Sequence, residues 1–324
     1  MDKMTYTIGI DVGGTNVVAG LFDGDGVLLA KLKTPTEKSS GTEGFLDQLA
    51  GLARKLLSER GIAEGSLAAV GIGLPGFMNE KDGTVTAANL PLSGTPVAQL
   101  LSRKLGVPVA VQNDVRMIVY GETIRGAGAG YRHVLGLTLG TGMSAAFVTD
   151  GRIHTGAEGL AGEIGHVIMD GVQYTCGCGM TGCLETIASA TGIARQAQDG
   201  LAAGRGGLLA ERFPYPSSRG ELTARDVWQA AVDGDDFALS IYRYTAEKLA
   251  LALAPAVILL SPDVVIVGGG VAAAGDILFG PLREEVSRRV HPLYRERLRI
   301  VPGSLDDDAG LIGSAAYAQS LQSR

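Results

Sequence analysis

Ile8-Gly-Ile-Asp-Val-Gly-Gly-Thr-Asn-Val-Val-Ala-Gly-Leu-Phe-Asp-Gly24 returns 127 residues later as Leu135-Gly-Leu-Thr-Leu-Gly-Thr-Gly-Met-Ser-Ala-Ala-Phe-Val-Thr-Asp-Gly151. At this constant offset Gly9, Gly13, Ala19, Asp23 and Gly24 meet Gly136, Gly140, Ala146, Asp150 and Gly151. Each copy reads as strand, glycine turn, strand, Asp-Gly turn, strand: a β-hairpin joined to a further pairing strand. Two homologous lobes are the expectation, with a chance likeness of two glycine-rich hairpins as the alternative.

The sequence around the two copies fits that plan. In the first half a helical pattern near Gly44–Arg60 leads to a buried strand at Leu67–Leu74, and a second helix at Val97–Leu105 leads to Val107–Gln112. In the second half a long apolar helix near Ala238–Leu260 leads to the strand Val264–Val267, and Gly268-Gly269-Gly270 follows. Strands alternating with helices, and apolar throughout, give an α/β architecture with sheets covered on both faces. A helix from Asn113 to about Ile124 is expected to enter the second lobe, and the last helix, from about Ala309, to pack back on the first. The division is therefore 1–114 plus 305–324 for the N-terminal lobe and 115–304 for the C-terminal lobe.

Composition narrows the function. The chain has 324 residues, 46% hydrophobic and 19% charged, with 48 glycines and a net charge of −6. A chain this long normally folds around more than one core. Lys and Arg are scattered, without the clustered basic footprint that a nucleic-acid surface needs. The longest apolar run, Leu249–Leu260, is too short to span a bilayer and contains Pro255. No signal-like apolar region precedes the first strand. A soluble cytoplasmic protein is expected, without nucleic-acid or membrane partners.

Asp11-Val-Gly-Gly-Thr15 lies between two strands. Glycines without Cβ let backbone amides approach phosphate oxygens, and a turn of such donors makes an anion nest. Asp11 is placed to hold Mg²⁺ directly or through water, and Thr15 to donate to phosphate. A plain hairpin turn is the alternative, but the repeat at Gly140-Thr141-Gly142 suggests that both turns, Gly13-Gly14-Thr15 included, clamp a triphosphate across a cleft. No Gly-x-x-x-x-Gly-Lys-Ser/Thr loop occurs. Gly71-Ile-Gly73-Leu-Pro-Gly76 matches a dinucleotide fingerprint, but no apolar-periodic helix follows it.

Val107-Pro-Val-Ala-Val-Gln112 runs into Asn113-Asp114. A carboxylate at the carboxyl end of a buried strand faces the crevice where α/β proteins bind ligands. Phosphoryl transfer needs positioning, charge neutralisation and a carboxylate to take the hydroxyl proton. Asp114 suits that role; a helix N-cap is the competing reading. Further along, Glu163-Ile-Gly-His166 precedes Cys176-Gly-Cys178-Gly-Met-Thr-Gly-Cys183 and Leu184-Glu185. One His and the chain's three Cys match a closed tetrahedral zinc site, structural because it leaves no open position. Reduced, buried cysteines are the alternative. His133, His154 and His291 lack such company, and Trp228 reads as core.

Together these segments resemble the ROK family of sugar kinases and related repressors, over nearly the whole chain. Asp11–Thr15 and Leu139-Gly-Thr-Gly142 look like its phosphate motifs. Ala161-Gly-Glu-Ile-Gly-His166 and Cys176–Glu185 resemble its most specific signature, Val264–Gly270 its adenosine-side segment, and Asp308-Ala-Gly-Leu-Ile-Gly-Ser314 the start of its C-terminal helix. The resemblance implies an actin-like ATPase (ribonuclease H-like) fold, with two homologous lobes around a cleft. It implies Asp114 as base, with Asn113, Glu163, His166 and Glu185 on sugar hydroxyls. It places zinc on His166, Cys176, Cys178 and Cys183, and the adenosine side at Gly268, Gly269 and Gly270. Two stretches depart from the family pattern: Val115-Arg116-Met117, where small residues are usual, and Met143-Ser-Ala-Ala146, where glycines are.

The implied activity is ATP- and Mg²⁺-dependent phosphorylation of a hexose, with glucose at its 6-hydroxyl first. N-acetylmannosamine, N-acetylglucosamine or another hexose are alternatives, and Asn89-Leu90-Pro91 favours glucose by resemblance. A non-catalytic sugar-responsive regulator is the reading from another class. A family repressor would carry a DNA-binding domain ahead of Asp11, where only ten residues stand. A homodimer is the family-level expectation.

Overall fold

The computed structural model describes residues 5–79, 81–217 and 220–322. Its strands are β1 (Tyr6–Val12), β2 (Asn16–Phe22), β3 (Leu28–Pro35), β4 (Leu67–Leu74), β5 (Phe77–Asn79), β6 (Thr84–Ala87), β7 (Leu92–Thr95), β8 (Val109–Asn113), β9 (His133–Leu139), β10 (Met143–Thr149), β11 (Arg152–His154), β12 (Val264–Gly268) and β13 (Arg299–Pro302). The helices are α1 (Gly41–Glu59), α2 (Val97–Leu105), α3 (Asp114–Arg125), α4 (Glu185–Ala188), α5 (Ala190–Ala202), α6 (Leu208–Arg212), α7 (Ala224–Val232), α8 (Asp236–Leu260), α9 (Asp276–Arg289), α10 (Pro292–Arg295) and α11 (Ala309–Gln322). The chain divides into two compact units. One holds the residues up to Arg132, Ala146–Ala161 and those from Ser304 on; the other holds His133–Ala145 and Gly162–Gly303.

The sequence repeat is a repeat of topology. One five-stranded sheet is ordered β3-β2-β1-β4-β8 and the other β11-β10-β9-β12-β13. In both orders the third, second and first strands of the repeated hairpin are followed by two later strands. In the first sheet β1 runs antiparallel to β2 and parallel to β4, and in the second β12 runs parallel to β9 and β13.

The first sheet sorts its side chains by the two-residue period of a strand. Ile8, Ile10 and Val12 of β1 and Val70, Ile72 and Leu74 of β4 share a core with Phe45, Leu46, Leu49, Leu52 and Leu56 of α1. Positions 45, 49, 52 and 56 recur at helical spacing, which gives α1 its apolar stripe. Each large apolar side chain so buried contributes roughly 1.5–3 kcal/mol. The intervening positions, Gly9 and Asp11 on β1 and Gly71 and Gly73 on β4, point the other way, toward α11. A Cβ at Gly71 would stand 1.8 Å from the Ser314 carbonyl oxygen. The helix therefore lies directly on the sheet backbone, which accounts for the Gly71–Gly76 pattern without a dinucleotide; a strand, β5, follows it.

One expected boundary moves. α3 belongs to the first unit, together with the residues up to Arg132, rather than opening the second. It packs on α11: Tyr120 meets Tyr317 edge-on at 5.7 Å between ring centres, and Met117 and Val119 share a small core with Tyr317. The buried Glu122 fastens the returning C-terminal segment, accepting from the amides of Ser304 and Leu305, both at 2.8 Å. Paired in this way, a buried acid is satisfied rather than costly.

In the second unit, α8 is capped by Asp235, whose carboxylate accepts from the Ala238 amide at 2.8 Å. Its interior carries Pro255, at the cost of one amide donor. Among the described residues no helix is long and apolar enough to cross a membrane.

Candidate active site

In the first unit β1 carries Asp11 opposite Val18 of β2 and Gly73 of β4. The turn after it is closed by the Gly13 amide donating to the Asn16 carbonyl at 2.8 Å. Thr36, which the sequence did not single out, holds the turn from behind. Its hydroxyl donates to the Gly13 carbonyl at 2.7 Å and its amide to the Thr15 carbonyl at 2.9 Å. With carbonyls turned toward Thr36, Gly14 and Thr15 lie exposed, and a Cβ at Gly14 would meet nothing within 4 Å. An open turn with its carbonyls tied back suits an approaching anion.

β8 delivers Asn113 and Asp114 to the start of α3. Asn113, not Asp114, is the N-cap: its Oδ1 accepts from the Arg116 amide at 3.2 Å. What Asn113 can still offer a ligand is its Nδ2 donor. Asp114 is the first helical residue, with Oδ1 accepting from the Val115 amide at 2.9 Å. A carboxylate there is favoured by the helix N-terminus.

Asp11 on β1 and Asp114 at the head of α3 are about a hundred residues apart in sequence, yet Asp11 feels the charge of Asp114. Burial first, then repulsion from Asp114 and from Asp307, raises the Asp11 carboxyl from 3.8 to about 7. Gly310, near the start of α11, lies so close that a Cβ there would be 2.9 Å from the Asp11 carboxyl carbon. Neither Asp307 nor Gly310 was a sequence candidate; only their place at the head of the last helix hinted at them. A buried carboxylate facing two others is arranged for a cation.

The sign of this shift is testable. Because the folded value lies above the unfolded one, ionisation of Asp11 opposes folding. The penalty is absent below about pH 4, grows as pH rises, and is complete above the folded value of about 7. Such a displacement is worth on the order of 4 kcal/mol. Without metal or nucleotide, Asp11→Asn is expected to melt several degrees above wild type at pH 8, with the gap closing toward pH 4. Melting curves across that range check it; a gap that ignores pH would show that Asp11 does not titrate as a buried acid.

In the second unit β9 ends at Leu139 and the turn Gly140-Thr141-Gly142 follows, closed by the Gly140 amide on the Gly142 carbonyl at 2.9 Å. The first residue of each turn thus donates in the same manner, the second closing one residue sooner. Gly269 takes a left-handed φ of 84°, and a Cβ there would fall 2.6 Å from the Leu139 carbonyl oxygen. Only glycine permits this approach, and it sets Gly268–Gly270 beside the start of the turn.

Glu185 joins that turn to the thiol cluster. Its Oε2 accepts from the Met143 amide at 3.2 Å, and its Oε1 takes the Cys176 thiol at 2.9 Å. His166 points Nδ1 at Cys176 Sγ, 3.7 Å away, and Nε2 at Glu163 Oε2, also 3.7 Å away. Cys178 Sγ lies 3.6 Å from Cys183 Sγ, and one ligand atom from each of the four residues fits within 4.8 Å of the rest. Four ligands about 2.3 Å from a tetrahedral zinc would stand about 3.8 Å apart, so the set fits that ion. The thiols' own chemistry agrees. Burial pushes Cys176 up to about 12 and raises Cys183, whereas the Met180 amide lowers Cys178. Two buried thiols that resist ionisation alone need a cation to become thiolates.

The structure thus gathers Asp11, the first turn, Asn113 and Asp114 in one unit. In the other it gathers Glu163, His166, Glu185, the three cysteines, the second turn and Gly268–Gly270.

A sequence profile of the ROK family matches residues 7–320. A glucokinase of Thermotoga maritima is 36% identical over 312 residues, spanning 95% of this chain and 96% of that protein. A glucokinase of Halalkalibacterium halodurans is 37% identical, spanning 95% and 93% respectively. A ROK family glucokinase from Streptomyces griseus, solved in complex with glucose and AMPPNP, is 30% identical with a TM-score of 0.77, covering 97% of this chain and 99% of that one.

Proposed function

The chain belongs to the ROK family, with its actin-like α/β fold, and from that premise we propose that it is an ATP-dependent sugar kinase acting on glucose to give glucose 6-phosphate. The observation that carries the reading is Asp11, within reach of the charge of Asp114, at the foot of an open glycine turn. The likeness to a glucokinase that binds glucose and AMPPNP supports it.

In this reading Gly13 and Gly140 close the two turns, the amides of Gly14 and Thr15, and of Thr141 and Gly142, donate to phosphate oxygens, and Gly268–Gly270 line the adenosine side. Asn113 Nδ2, Glu163, His166 and Glu185 bind the ring hydroxyls. Asp114 takes the proton of the 6-hydroxyl as its oxygen bonds to the γ-phosphorus and the bond to the β-phosphate oxygen breaks, releasing ADP. Asp11 would hold Mg²⁺, which would supply charge neutralisation on the phosphate oxygens. His166, Cys176, Cys178 and Cys183 would hold a structural zinc, which would keep the sugar-facing loop in shape. The reading extends to a cytoplasmic homodimer, the family expectation.

ADP release across glucose, mannose, N-acetylglucosamine and N-acetylmannosamine tests it, with polyphosphate as a second donor. Glucose with ATP is expected to give the highest kcat/KM. A preference for an N-acetylhexosamine would move the acceptor, and no turnover on any sugar would replace the kinase by a sugar-responsive regulator.

A further inference from the structure

We propose that Arg116 is a positioning residue, tying the segment that bears Asn113 and Asp114 to the segment that runs into Glu163. It is only 4% exposed. Its Nη1 donates to Gln112 Oε1 at 3.1 Å, and Gln112 Oε1 also accepts from the Asn113 amide at 2.8 Å. Two donors converging on one atom fix the Gln112 carboxamide with its oxygen toward Arg116. Arg116's own amide completes the Asn113 cap. The residue therefore braces the end of β8 and the head of α3 through both its main chain and its side chain.

The other edge of the guanidinium meets a loop that has no ladder of its own. Nη2 donates to the carbonyls of Gly159 at 2.8 Å and Ala161 at 3.0 Å, with Thr155 at 3.4 Å. Between Thr155 and Glu163 the backbone is left-handed at Gly156 (φ 70°), Glu158 (φ 56°), Gly159 (φ 76°) and Gly162 (φ 109°). Such a path turns carbonyls inward, away from regular partners, and a non-glycine residue at positive φ persists only when its surroundings hold it. One planar guanidinium holds Gln112 through Nη1 and these oxygens through Nη2 in a single fixed geometry, which a lysine ammonium, with three donors on one atom, does not reproduce. Ala161 is two residues from Glu163, so an error at Ala161 is passed to Glu163 along the chain.

This inference rests on the reading of Asp114 and Glu163 as proton acceptor and sugar ligand. The hydrogen bonds of Arg116 described above go to Gln112, Asn113, Thr155, Gly159 and Ala161, and its loss should therefore fall on the sugar. Arg116→Lys is expected to raise the KM for glucose roughly tenfold and Arg116→Met roughly a hundredfold, with kcat reduced and the KM for ATP within about twofold of wild type. A purely structural role would lower the melting temperature and the active fraction while leaving the ratio of the two KM values alone. If Arg116→Met does not fold, Arg116→Lys decides by the same ratio. Wild type measured alongside separates the failures. No turnover by wild type on any hexose overturns the kinase reading and this proposal with it. An active wild type whose folded Arg116 variants share its sugar KM overturns this proposal alone.

Discussion

Asp114→Asn is expected to lower kcat by roughly 10²–10⁴ while glucose still binds with nearly wild-type affinity. The substitution keeps shape and the Oδ1 acceptor for the Val115 amide, found at 2.9 Å, so the head of α3 should stay as it is. What it removes is the capacity to take a proton as the hydroxyl oxygen attacks. It also removes one of the two charges that raise Asp11, so Asp11 should titrate lower in the variant. Steady-state turnover and calorimetric glucose binding, measured on the same preparation, separate the two effects. Near-normal kcat would sink the assignment of Asp114 as base. Weakened binding with unchanged kcat would make it a sugar ligand instead.

The elements most legible in the sequence are those whose signal is local or periodic. The repeated hairpin showed itself because glycine turns between apolar strands constrain both composition and spacing. Leu67–Leu74, Val97–Leu105 and the start at Ala309 fall where the pattern put them. The cluster of His166 and the three thiols was legible for the same reason: its four members all fall between positions 166 and 183. What stayed hidden is contact between segments distant along the chain. Thr36 reaches the first turn through two hydrogen bonds that leave no periodic trace. The sequence offered Asp114 as the cap where Asn113 does the capping, because both residue types cap and only geometry chooses. Arg116 appeared only as a departure from a pattern, since nothing near it in sequence announces that carbonyls of residues 155–161 will gather round it. α3 falls in the first compact unit, and its packing there leaves no local trace: Tyr120 and Tyr317, which meet edge-on, are almost two hundred residues apart.

The glycines divide along the same line. At Gly13–Gly14 and Gly140–Gly142 the sequence reads as an open anion-facing turn, and a Cβ at Gly14 or Gly140 would meet nothing within 4 Å. At Gly71 the reason is different: α11 needs the space a side chain would fill. A glycine pattern alone does not distinguish a ligand's approach from a helix's.

Cys178→Ser is expected to remove one zinc per chain and to weaken glucose binding roughly ten- to hundredfold, although Cys178 has no role on the sugar itself. It is the exposed member of the cluster, so the change should cost little packing. The link to the sugar runs through Cys176 and Glu185. Without a cation the buried Cys176, raised to about 12, keeps its proton and donates it to Glu185 Oε1 at 2.9 Å. A carboxylate oxygen so occupied is lost to a sugar hydroxyl. When zinc holds Cys176 as thiolate there is no proton to give, and Oε1 becomes available to the ligand. His166 would be set by the same ion: with Nδ1, on the Cys176 side, committed to the metal, Nε2 would stay turned toward Glu163. Losing one hydrogen bond to a charged group costs about 1.5–3 kcal/mol, which sets the expected range. Metal analysis and glucose titration, monitored through Trp228 or by calorimetry, check both halves. A metal-free variant that binds glucose as wild type does would separate the cluster from the sugar and leave it a purely structural clip.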